Sequence, residues 1–335
     1  MTSAPASTGR LAAIDLTKGV LVVCMVIYHS LNYSAHRELA FKFLAFLPPS
    51  FILITGFLLS HVYLAGYSIR DWRLHSRLVM RGLRLLILFT LLNVLVQLLV
   101  TRGPYGSLPG LQMFWDYRFE TYVSGDGSLA VFEVLLPIAY LLLLAPILLC
   151  LERLHSWILP VITALTLAVL AYWERQGMDW LNSQLLAAGL IGMLLGRIRS
   201  PALNRLAGWR WIAIVAYAAC FAVGYLRGHT FLVQLLSAAM ALALIYAWMV
   251  KLHPEHNSVG RRIELLGRYS LVAYIVQIGI LQVFSRVLGR PAPDSVAFLA
   301  MLVGTLILTV LTVEILNWMR SRSATVGSLY KVVFA

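Results

Sequence analysis

Long apolar runs follow one another along almost the whole chain of 335 residues, separated by short polar stretches. Hydrophobic residues make up 60% of the sequence and charged residues only 12%, whereas soluble domains carry about 25% charged residues. So few charges cannot cover a water-facing surface, and runs of about 20 apolar residues are long enough to cross a bilayer as helices. The pattern therefore predicts an all-α protein, a polytopic membrane helical bundle.

Ten apolar segments are candidate transmembrane spans. The sixth is short, and the seventh and eighth are close enough to form a tight hairpin. No linker is long enough to split the chain, which predicts a single transmembrane domain over residues 1–335. The candidate spans are 11–34, 43–66, 81–100, 128–150, 156–173, 182–197, 209–226, 229–250, 265–287 and 295–318.

The basic residues orient this bundle. A net charge of +13 would suggest nucleic acid as the ligand of a soluble protein. Here the basic residues lie in short loops between apolar runs, where they set topology and contact anionic lipid. With the N-terminus in the cytoplasm, 19 of the 27 lysines and arginines fall on the cytoplasmic side. We therefore predict that both termini are cytoplasmic, with membrane lipid as a partner and no nucleic acid.

The three cysteines, Cys24, Cys150 and Cys220, lie inside apolar runs. Their spacing fits neither a disulfide framework nor a zinc site, so we interpret them as small packing residues and expect no metal. The N-terminal stretch is not expected to be a signal peptide, because Asp15 and Lys18 interrupt the position of its apolar segment.

The first span, IDLTKGVLVVCMVIYHSLNY at residues 14–33, contains three groups that hydrocarbon rejects: Asp15, Lys18 and His29. Lys18 and His29 are 11 residues apart, so they share one helix face and lie about 16 Å apart along the axis. Asp15, three residues before Lys18, lies on roughly the same face. Ionisable groups inside membranes are energetically expensive and usually functional, so this stripe predicts two binding points for one elongated ligand.

Asn32 and Tyr33 continue the stripe beyond His29. A structural alternative remains open for the charged members. The lysine side chain can extend to lipid phosphates, the histidine can sit at the membrane interface, and Asp15 and Lys18 can simply pair.

Three arginines recur at i, i+4 and i+7 in RDWRLHSRLVMRGLRLL, at Arg77, Arg81 and Arg84. This spacing places them on one helix face at the cytoplasmic end of the third span. Positive-inside signalling accounts for basic residues here, but it does not require a shared stripe that runs into the apolar segment. Because guanidinium groups bind phosphate oxygens bidentately, the stripe favours an anionic, phosphate-bearing cytoplasmic ligand.

The longest outer loop, RGPYGSLPGLQMFWDYRFETYVSGDGS, is rich in aromatic residues, glycine and acids. Ring faces can hold the C–H surface of a sugar, and carboxylates can bind its hydroxyls. The alternative is an interfacial aromatic belt. Long loops in compact proteins tend to carry sites. The acceptor-binding candidates are Trp115, Asp116, Tyr117, Glu120 and, toward the outer side of the next span, Glu133.

These motifs together resemble the acyltransferase-3 superfamily of integral membrane acyltransferases. Lys18 and His29 fit its Arg/Lys-x10-His motif, and FILITGF at 51–57 resembles its Phe-x-x-x-Ser-Gly-Phe turn, with Thr55 where serine is usual. The R-x-x-x-R-x-x-R run also matches. LLGRYSLVAYIVQ at 265–277 is similar to its late Gly-x-x-Ser-x-x-x-Tyr-x-x-His segment, and LYKVVFA is similar to its common tail. The resemblance covers nearly the whole chain.

The resemblance implies a membrane O-acyltransferase of the carbohydrate type. Its donor would be cytoplasmic acyl-CoA, with acetyl-CoA as the first candidate co-substrate. Its acceptor would be a hydroxyl of an extracytoplasmic glycan or glycolipid. The expected location is the bacterial inner (cytoplasmic) membrane, where other subunits of an envelope polysaccharide system are candidate partners.

The resemblance also implies roles for individual residues. The CoA phosphates would rest against Lys18 and the three arginines, and the pantetheine arm would run toward His29. In its neutral form, His29 would take the proton of the acceptor hydroxyl; an acyl-histidine intermediate is left open. Gln277 stands where many relatives have histidine, so the chemistry falls to His29 alone. Supporting or orienting roles are assigned to Asp15, Asn32, Tyr33, Thr55 and Gln277.

Two other classes of function compete with the enzyme. Ten spans with buried charges would suit a transporter or flippase, although such proteins often carry inverted repeats and the sequence shows none. The other is a non-catalytic subunit of a polysaccharide synthesis or export machine. The acyl group, the acceptor and the oligomeric state are left open.

Overall fold

The computed structural model describes residues 12–63, 72–100, 121–124, 132–198, 208, 210–228, 230–252 and 257–334. Over these ranges the regular elements are helical and no strand occurs, which confirms the predicted all-α class. A π-helical turn, Leu59–Tyr63, directly follows the third helix. The helices are α1 (Ala12–Asn32), α2 (Glu38–Leu44), α3 (Leu47–Leu58), α4 (Trp72–Val100), α5 (Leu135–Leu154), α6 (Ile158–Arg175), α7 (Leu181–Leu195), α8 (Arg210–Arg227), α9 (Phe231–Met249), α10 (Ser258–Arg268), α11 (Ser270–Leu288), α12 (Val296–Arg322) and α13 (Ala324–Phe334).

Each of the ten predicted segments contains helix. Among the described residues, seven helices are long and apolar enough to cross a membrane, and the number is eight if the bent pair formed by α2 and α3 counts as one span. Helix α7 and the stretch Arg210–Leu226 of α8 are shorter apolar helices. The number ten and the cytoplasmic placement of both termini remain predictions.

The second predicted span, 43–66, is bent. Helices α2 and α3 meet at 45° across a short break. Pro48 and Pro49 lie in the first turn of α3, where a missing backbone N–H removes no intrahelical hydrogen bond. The prolines therefore fix where the second half of this span begins.

The ninth predicted span, 265–287, begins too early. Helix α10 ends at Arg268 and α11 starts at Ser270. Tyr269 separates them, with φ −109° and ψ 28° outside the helical range. Leu265 and Leu266 at the end of α10 join the apolar run of α11, so the sequence pattern did not reveal the break.

The chain forms two compact units. The first comprises Met1–Leu47, Ser200–His229 and Leu236–Ala335, and the second comprises Pro48–Arg199 and Thr230–Leu235. The first unit therefore holds α1, α2, α8, most of α9 and α10 to α13, and the second holds α3 to α7. A single domain over 1–335 remains a prediction.

In the second unit, α3 and α7 touch backbone to backbone. A Cβ atom on Gly56 would lie 2.0 Å from the carbonyl oxygen of Gly189, and one on Gly192 would lie 2.0 Å from that of Leu53. Small residues at helix crossings allow this approach in membrane bundles. Buried leucines of α4, α5 and α7 form the neighbouring core, among them Leu78.

In the first unit, α1 and α10 cross at an equally close distance. A Cβ atom on Gly19 would lie 1.8 Å from the carbonyl oxygen of Ile263, and one on Gly267 would lie 1.8 Å from that of Asp15. Each helix thus contributes one glycine to the crossing, and the two backbones meet without intervening side chains. Helix α10 is capped by Asn257, whose side chain accepts a hydrogen bond from the Val259 amide at 2.9 Å.

Helices α11 and α12 form an antiparallel hairpin beside α1. At one level, a Cβ atom on Gly304 of α12 would lie 2.9 Å from Cζ of Phe284 on α11. At the other end, the Tyr269 hydroxyl donates to Oδ1 of Asn317 at 3.0 Å. These two contacts fix the register of the hairpin.

We expect Gly267→Ala to destabilise the protein, because even one methyl group forces the α1 and α10 backbones apart. Overpacking of this kind typically costs about 1–3 kcal/mol. Thermal unfolding of detergent-solubilised protein measures the effect. Gly279→Ala is the matched control, since Gly279 of α11 has no atom within 4 Å of a new Cβ; equal unfolding midpoints for the two variants would contradict the close crossing.

Candidate active site

The stripe predicted on the first span lies on one unbroken helix, α1. Near its start, Lys18 Nζ lies 3.0 Å from Oδ1 of Asp15. Asp15 is buried, at 5% exposure, and Lys18 is partly buried. The pairing left open by the sequence therefore occurs. A paired lysine ammonium still has further N–H donors, so the pair can also receive an anion.

His29 lies near the other end of α1, about 16 Å from Lys18 along a continuous helix axis. The residue is partly exposed, but its Nε2 atom is buried and has no hydrogen-bond partner among the described residues. The Tyr274 ring centroid is 5.7 Å from that of the imidazole, and the Tyr28 ring centroid is 5.2 Å away. Two aromatic rings thus pack near an imidazole whose Nε2 atom has no partner among the described residues.

Asn32 and Tyr33, the last two residues of the predicted stripe, differ in their surroundings. Asn32 is exposed. Tyr33 packs against a cluster that contains Leu281. Its side chain forms a hydrogen bond with that of Gln282. Tyr33 therefore joins the end of α1 to α11.

Gln277 on α11 is fully buried, at 0% exposure. Neither its Nε2 nor its Oε1 atom has a hydrogen-bond partner among the described residues. The Ser30 Oγ and Thr309 Oγ1 atoms are buried and unpartnered in the same sense. A buried polar atom without a partner is uncommon in folded proteins and calls for an explanation.

Three of the residues around this region were missed from the sequence: Ser30, Tyr274 and Thr309. Hydroxyl groups in apolar helices usually bond to their own backbone, as Thr17 does to the Ala13 carbonyl at 2.7 Å. Tyr274 lay within the late motif at 265–277, and its three-residue spacing from Gln277 was the signal available.

In the second unit, Thr55 does not present a free hydroxyl proton. Its Oγ1 donates to the carbonyl oxygen of Phe51 at 2.7 Å within α3. The π-helical turn follows directly, and there the His61 ring stacks on Phe57 at 4.8 Å between centroids. Nδ1 of His61 lies 3.0 Å from the carbonyl oxygen of Gly196. Such turns often occur at functional sites, and the sequence pattern gave no sign of this one.

The arginine stripe lies on helix as predicted. Helix α4 begins at Trp72, ahead of the predicted start of that span, so all three arginines belong to one helix. Arg77 is exposed, and Arg81 and Arg84 are partly exposed. They flank a buried line of side chains that includes Leu78. The guanidinium groups therefore lie at the border between packed and accessible surface.

Most of the predicted acceptor residues lie outside the described residues. Of the five candidates, Glu133 is described, and it is partly exposed just before α5. Phe132, directly before it, is buried and has a φ of 67°, a conformation that bulky residues rarely adopt. The candidates outside the described residues are Trp115, Asp116, Tyr117 and Glu120.

At the C-terminal end, α13 is fastened to α12. The Arg320 Nη1 atom donates to the Tyr269 hydroxyl at 2.7 Å, and its guanidinium carbon lies 3.9 Å from the Tyr330 ring centroid. Arg262 of α10 pairs with Glu314 of α12 at 2.9 Å. These contacts hold the base of the α11–α12 hairpin against α10 and α13.

Comparison with known proteins agrees with the motifs. A family model described as an acyltransferase domain matches residues 11–314. The match includes the Lys18–His29 helix, the arginine stripe and Gln277. No curated protein and no solved structure matches the chain significantly. The resemblance seen in the motifs is thereby confirmed, and the chain belongs to the acyltransferase-3 family.

Proposed function

We propose that this membrane acyltransferase moves an acyl group, with acetyl as the first candidate, from cytoplasmic acyl-CoA to a hydroxyl of an extracytoplasmic glycan or glycolipid. The observation that carries the proposal is the His29 imidazole, whose buried Nε2 has no partner among the described residues. A general base needs a nitrogen that is free to reach the substrate proton. We place the protein in the bacterial inner membrane, with other subunits of an envelope polysaccharide system as proposed partners.

Two features of the helices support an acyl-CoA donor. The donor carries a phosphate-rich head on a long pantetheine arm. Arg77, Arg81 and Arg84 offer guanidinium forks on one face of α4, and such forks suit phosphate oxygens. Lys18 and His29 are separated by about 16 Å on α1, a length of the order of an extended pantetheine arm.

The proposed transfer conserves protons. The acceptor hydroxyl oxygen attacks the acyl carbonyl carbon while Nε2 of His29 takes the hydroxyl proton. The tetrahedral intermediate then collapses, the C–S bond breaks and the new C–O ester bond remains. The imidazolium returns its proton to the departing thiolate, which leaves as the CoA thiol, and His29 is again neutral.

We expect His29→Gln to reduce transfer by about 10²–10⁴-fold, the usual contribution of a positioned base. Incubation of membranes with labelled acetyl-CoA or succinyl-CoA, followed by recovery of label in extracytoplasmic polysaccharide and glycolipid, measures the rate. Binding of acyl-CoA should persist, because the histidine is not assigned to the phosphates.

His36→Gln serves as the matched control, since His36 is exposed and pairs with Glu38 at 3.2 Å. It should transfer at the wild-type rate. Full transfer by His29→Gln would exclude His29 as the base. Substrate export that continues in both variants without any acyl transfer would favour the transporter or scaffold instead.

Joint replacement of Arg77, Arg81 and Arg84 by alanine should raise the KM for acetyl-CoA by about 10- to 100-fold, since a hydrogen bond to a charged group contributes about 1.5–3 kcal/mol. The kcat should change little. Acetyl-pantetheine lacks the phosphates, so its KM should stay the same.

A control variant removes the same charge elsewhere and should keep the wild-type KM for both donors. An equal rise of the two KM values in the stripe variant would disprove phosphate binding by the stripe. The control replaces three exposed arginines with alanine: Arg153, Arg261 and Arg322.

A further inference from the structure

Gln277 lies on the buried face of α11. Tyr274, Gln277, Ile278 and Leu281 are all buried, and their spacing places them on one side of the helix. Gln277 is the one amide among these side chains. A face of this kind would ordinarily be apolar, so the presence of an amide needs a specific reason.

The same face of α11 packs along the end of α1 that carries His29. One turn before Gln277, the Tyr274 ring lies 5.7 Å from the His29 ring between centroids. One turn after it, Leu281 belongs to the cluster against which Leu31 of α1 and Tyr33, directly after α1, pack. Gln277 therefore lies between a contact to His29 itself and a contact to the residues that follow it.

Helix α12 closes the other side of this region. Tyr269 faces Asn317 across the antiparallel hairpin. Gln277 lies eight residues after Tyr269, and Thr309 lies eight residues before Asn317. Because the two helices are antiparallel, Gln277 and Thr309 lie at about the same level of the hairpin. Thr309 is fully buried, and its hydroxyl has no partner among the described residues.

The Thr309 hydroxyl differs from that of Thr305, on the same face of α12, in having no hydrogen-bond partner among the described residues. Thr305, one turn earlier and equally buried, donates to the Met301 carbonyl at 2.7 Å. Helix α12 can therefore satisfy a buried threonine internally, but it does not do so at Thr309, at the level of Gln277. His29 Nε2, both polar atoms of Gln277 and the Thr309 hydroxyl have no partner in the part of the chain that the structure describes, which points to a polar group from outside the protein.

We propose that the Gln277 side-chain NH2 donates a hydrogen bond to the carbonyl oxygen of the acyl group. This inference rests on the proposed function. When the acceptor hydroxyl attacks, the carbonyl double bond opens and negative charge develops on that oxygen, where the amide stabilises it. When the C–S bond breaks, the double bond re-forms and the hydrogen bond weakens. Neither the Thr309 hydroxyl nor Oε1 of Gln277 has a partner among the described residues; once the acyl group is bound, that hydroxyl turns to donate to Oε1 and so keeps the NH2 group toward the substrate.

An amide suits this task because it donates in the same way at every physiological pH and cannot take the proton itself. Gln277 and His29 then have different roles in the reaction. The imidazole moves the proton, and the amide holds the oxygen on which charge accumulates. Removal of one such donor typically lowers kcat by about 10²–10³-fold.

Gln277→Met tests the proposal, because methionine keeps nearly the same volume and removes both unpartnered polar atoms. We expect kcat to fall about 10²–10³-fold with little change in the KM for acyl-CoA. The thermal unfolding midpoint should be unchanged or higher, since the substitution removes two buried polar atoms that have no partner among the described residues. A structural role predicts the reverse, a lower midpoint with unchanged kcat, and that result would overturn the proposal.

Two threonine variants sharpen the test. Thr309→Val should lower kcat by a smaller factor than Gln277→Met, because it disorders the amide without removing it. Thr305→Val is the matched control and should keep the wild-type kcat, since that hydroxyl already bonds to its own helix. Equal losses in the two threonine variants would overturn the orienting role of Thr309.

A binding measurement separates this inference from the proposed function. In a His29→Ala background, which should not turn over, the infrared carbonyl band of bound [1-¹³C]acetyl-CoA should shift to lower frequency. The shift should disappear when Gln277→Met is added. An unchanged shift would overturn the hydrogen bond alone, whereas failure of the wild-type protein to bind or use acyl-CoA would overturn the proposed donor as well.

Discussion

The backbones of α1 and α10 touch at two glycines, and the candidate active site depends on that contact. In a membrane, apolar helices gain no hydrophobic free energy by leaving lipid for one another, so association relies on close packing. Gly19 and Gly267 permit this packing. The crossing buries Asp15 beside Lys18 and fixes where α10 ends. Helix α11 therefore starts at a defined level beside α1, with its buried face toward His29.

In the first unit, polar side chains that hold helices together have hydrogen-bond or ion-pair partners, whereas those of the candidate active site have buried atoms without them in the described part of the chain. Thr17 and Thr305 donate to carbonyl oxygens of their own helices at 2.7 Å, and Arg262 pairs with Glu314. His29 and Gln277 instead retain buried atoms that have no partner within the described ranges. Each such atom costs about 1–3 kcal/mol in a folded protein, and apolar helices offer little water to relieve it. Other buried polar atoms also lack partners among the described residues, Nε of Arg320 among them. What marks the site is therefore the closeness of Gln277 to His29 along α11 rather than the number of such atoms.

The sequence predicted the helical class and a helix in each apolar segment, because the absence of charge is itself the signal for membrane helices. It did not predict the break at Tyr269, because Leu265 and Leu266 at the end of the otherwise polar helix α10 extend the apolar run of α11 toward the N-terminus. The helical stripe of arginines was predictable from spacing, and the Asp15–Lys18 pair was foreseen as an alternative. The sequence did not predict that the hydroxyls of Ser30 and Thr309 have no partner among the described residues, because a single sequence cannot tell which hydroxyl donates to its own helix backbone. For Thr309 the surroundings depend on the register between α11 and α12, which tertiary contacts fix.

The glutamine at position 277 has a consequence for the number of bases that the transfer needs. In the proposed reaction, the acceptor hydroxyl loses one proton and the departing thiolate gains one, so a single imidazole can carry the proton from one to the other. A second histidine beside His29 would add a competing site for that proton and, when charged, would repel the imidazolium that forms. A neutral donor instead contributes most when negative charge develops on the carbonyl oxygen. With Gln277 in this position, proton transfer and charge stabilisation are assigned to different side chains, and the cycle closes with His29 neutral and ready for the next acceptor.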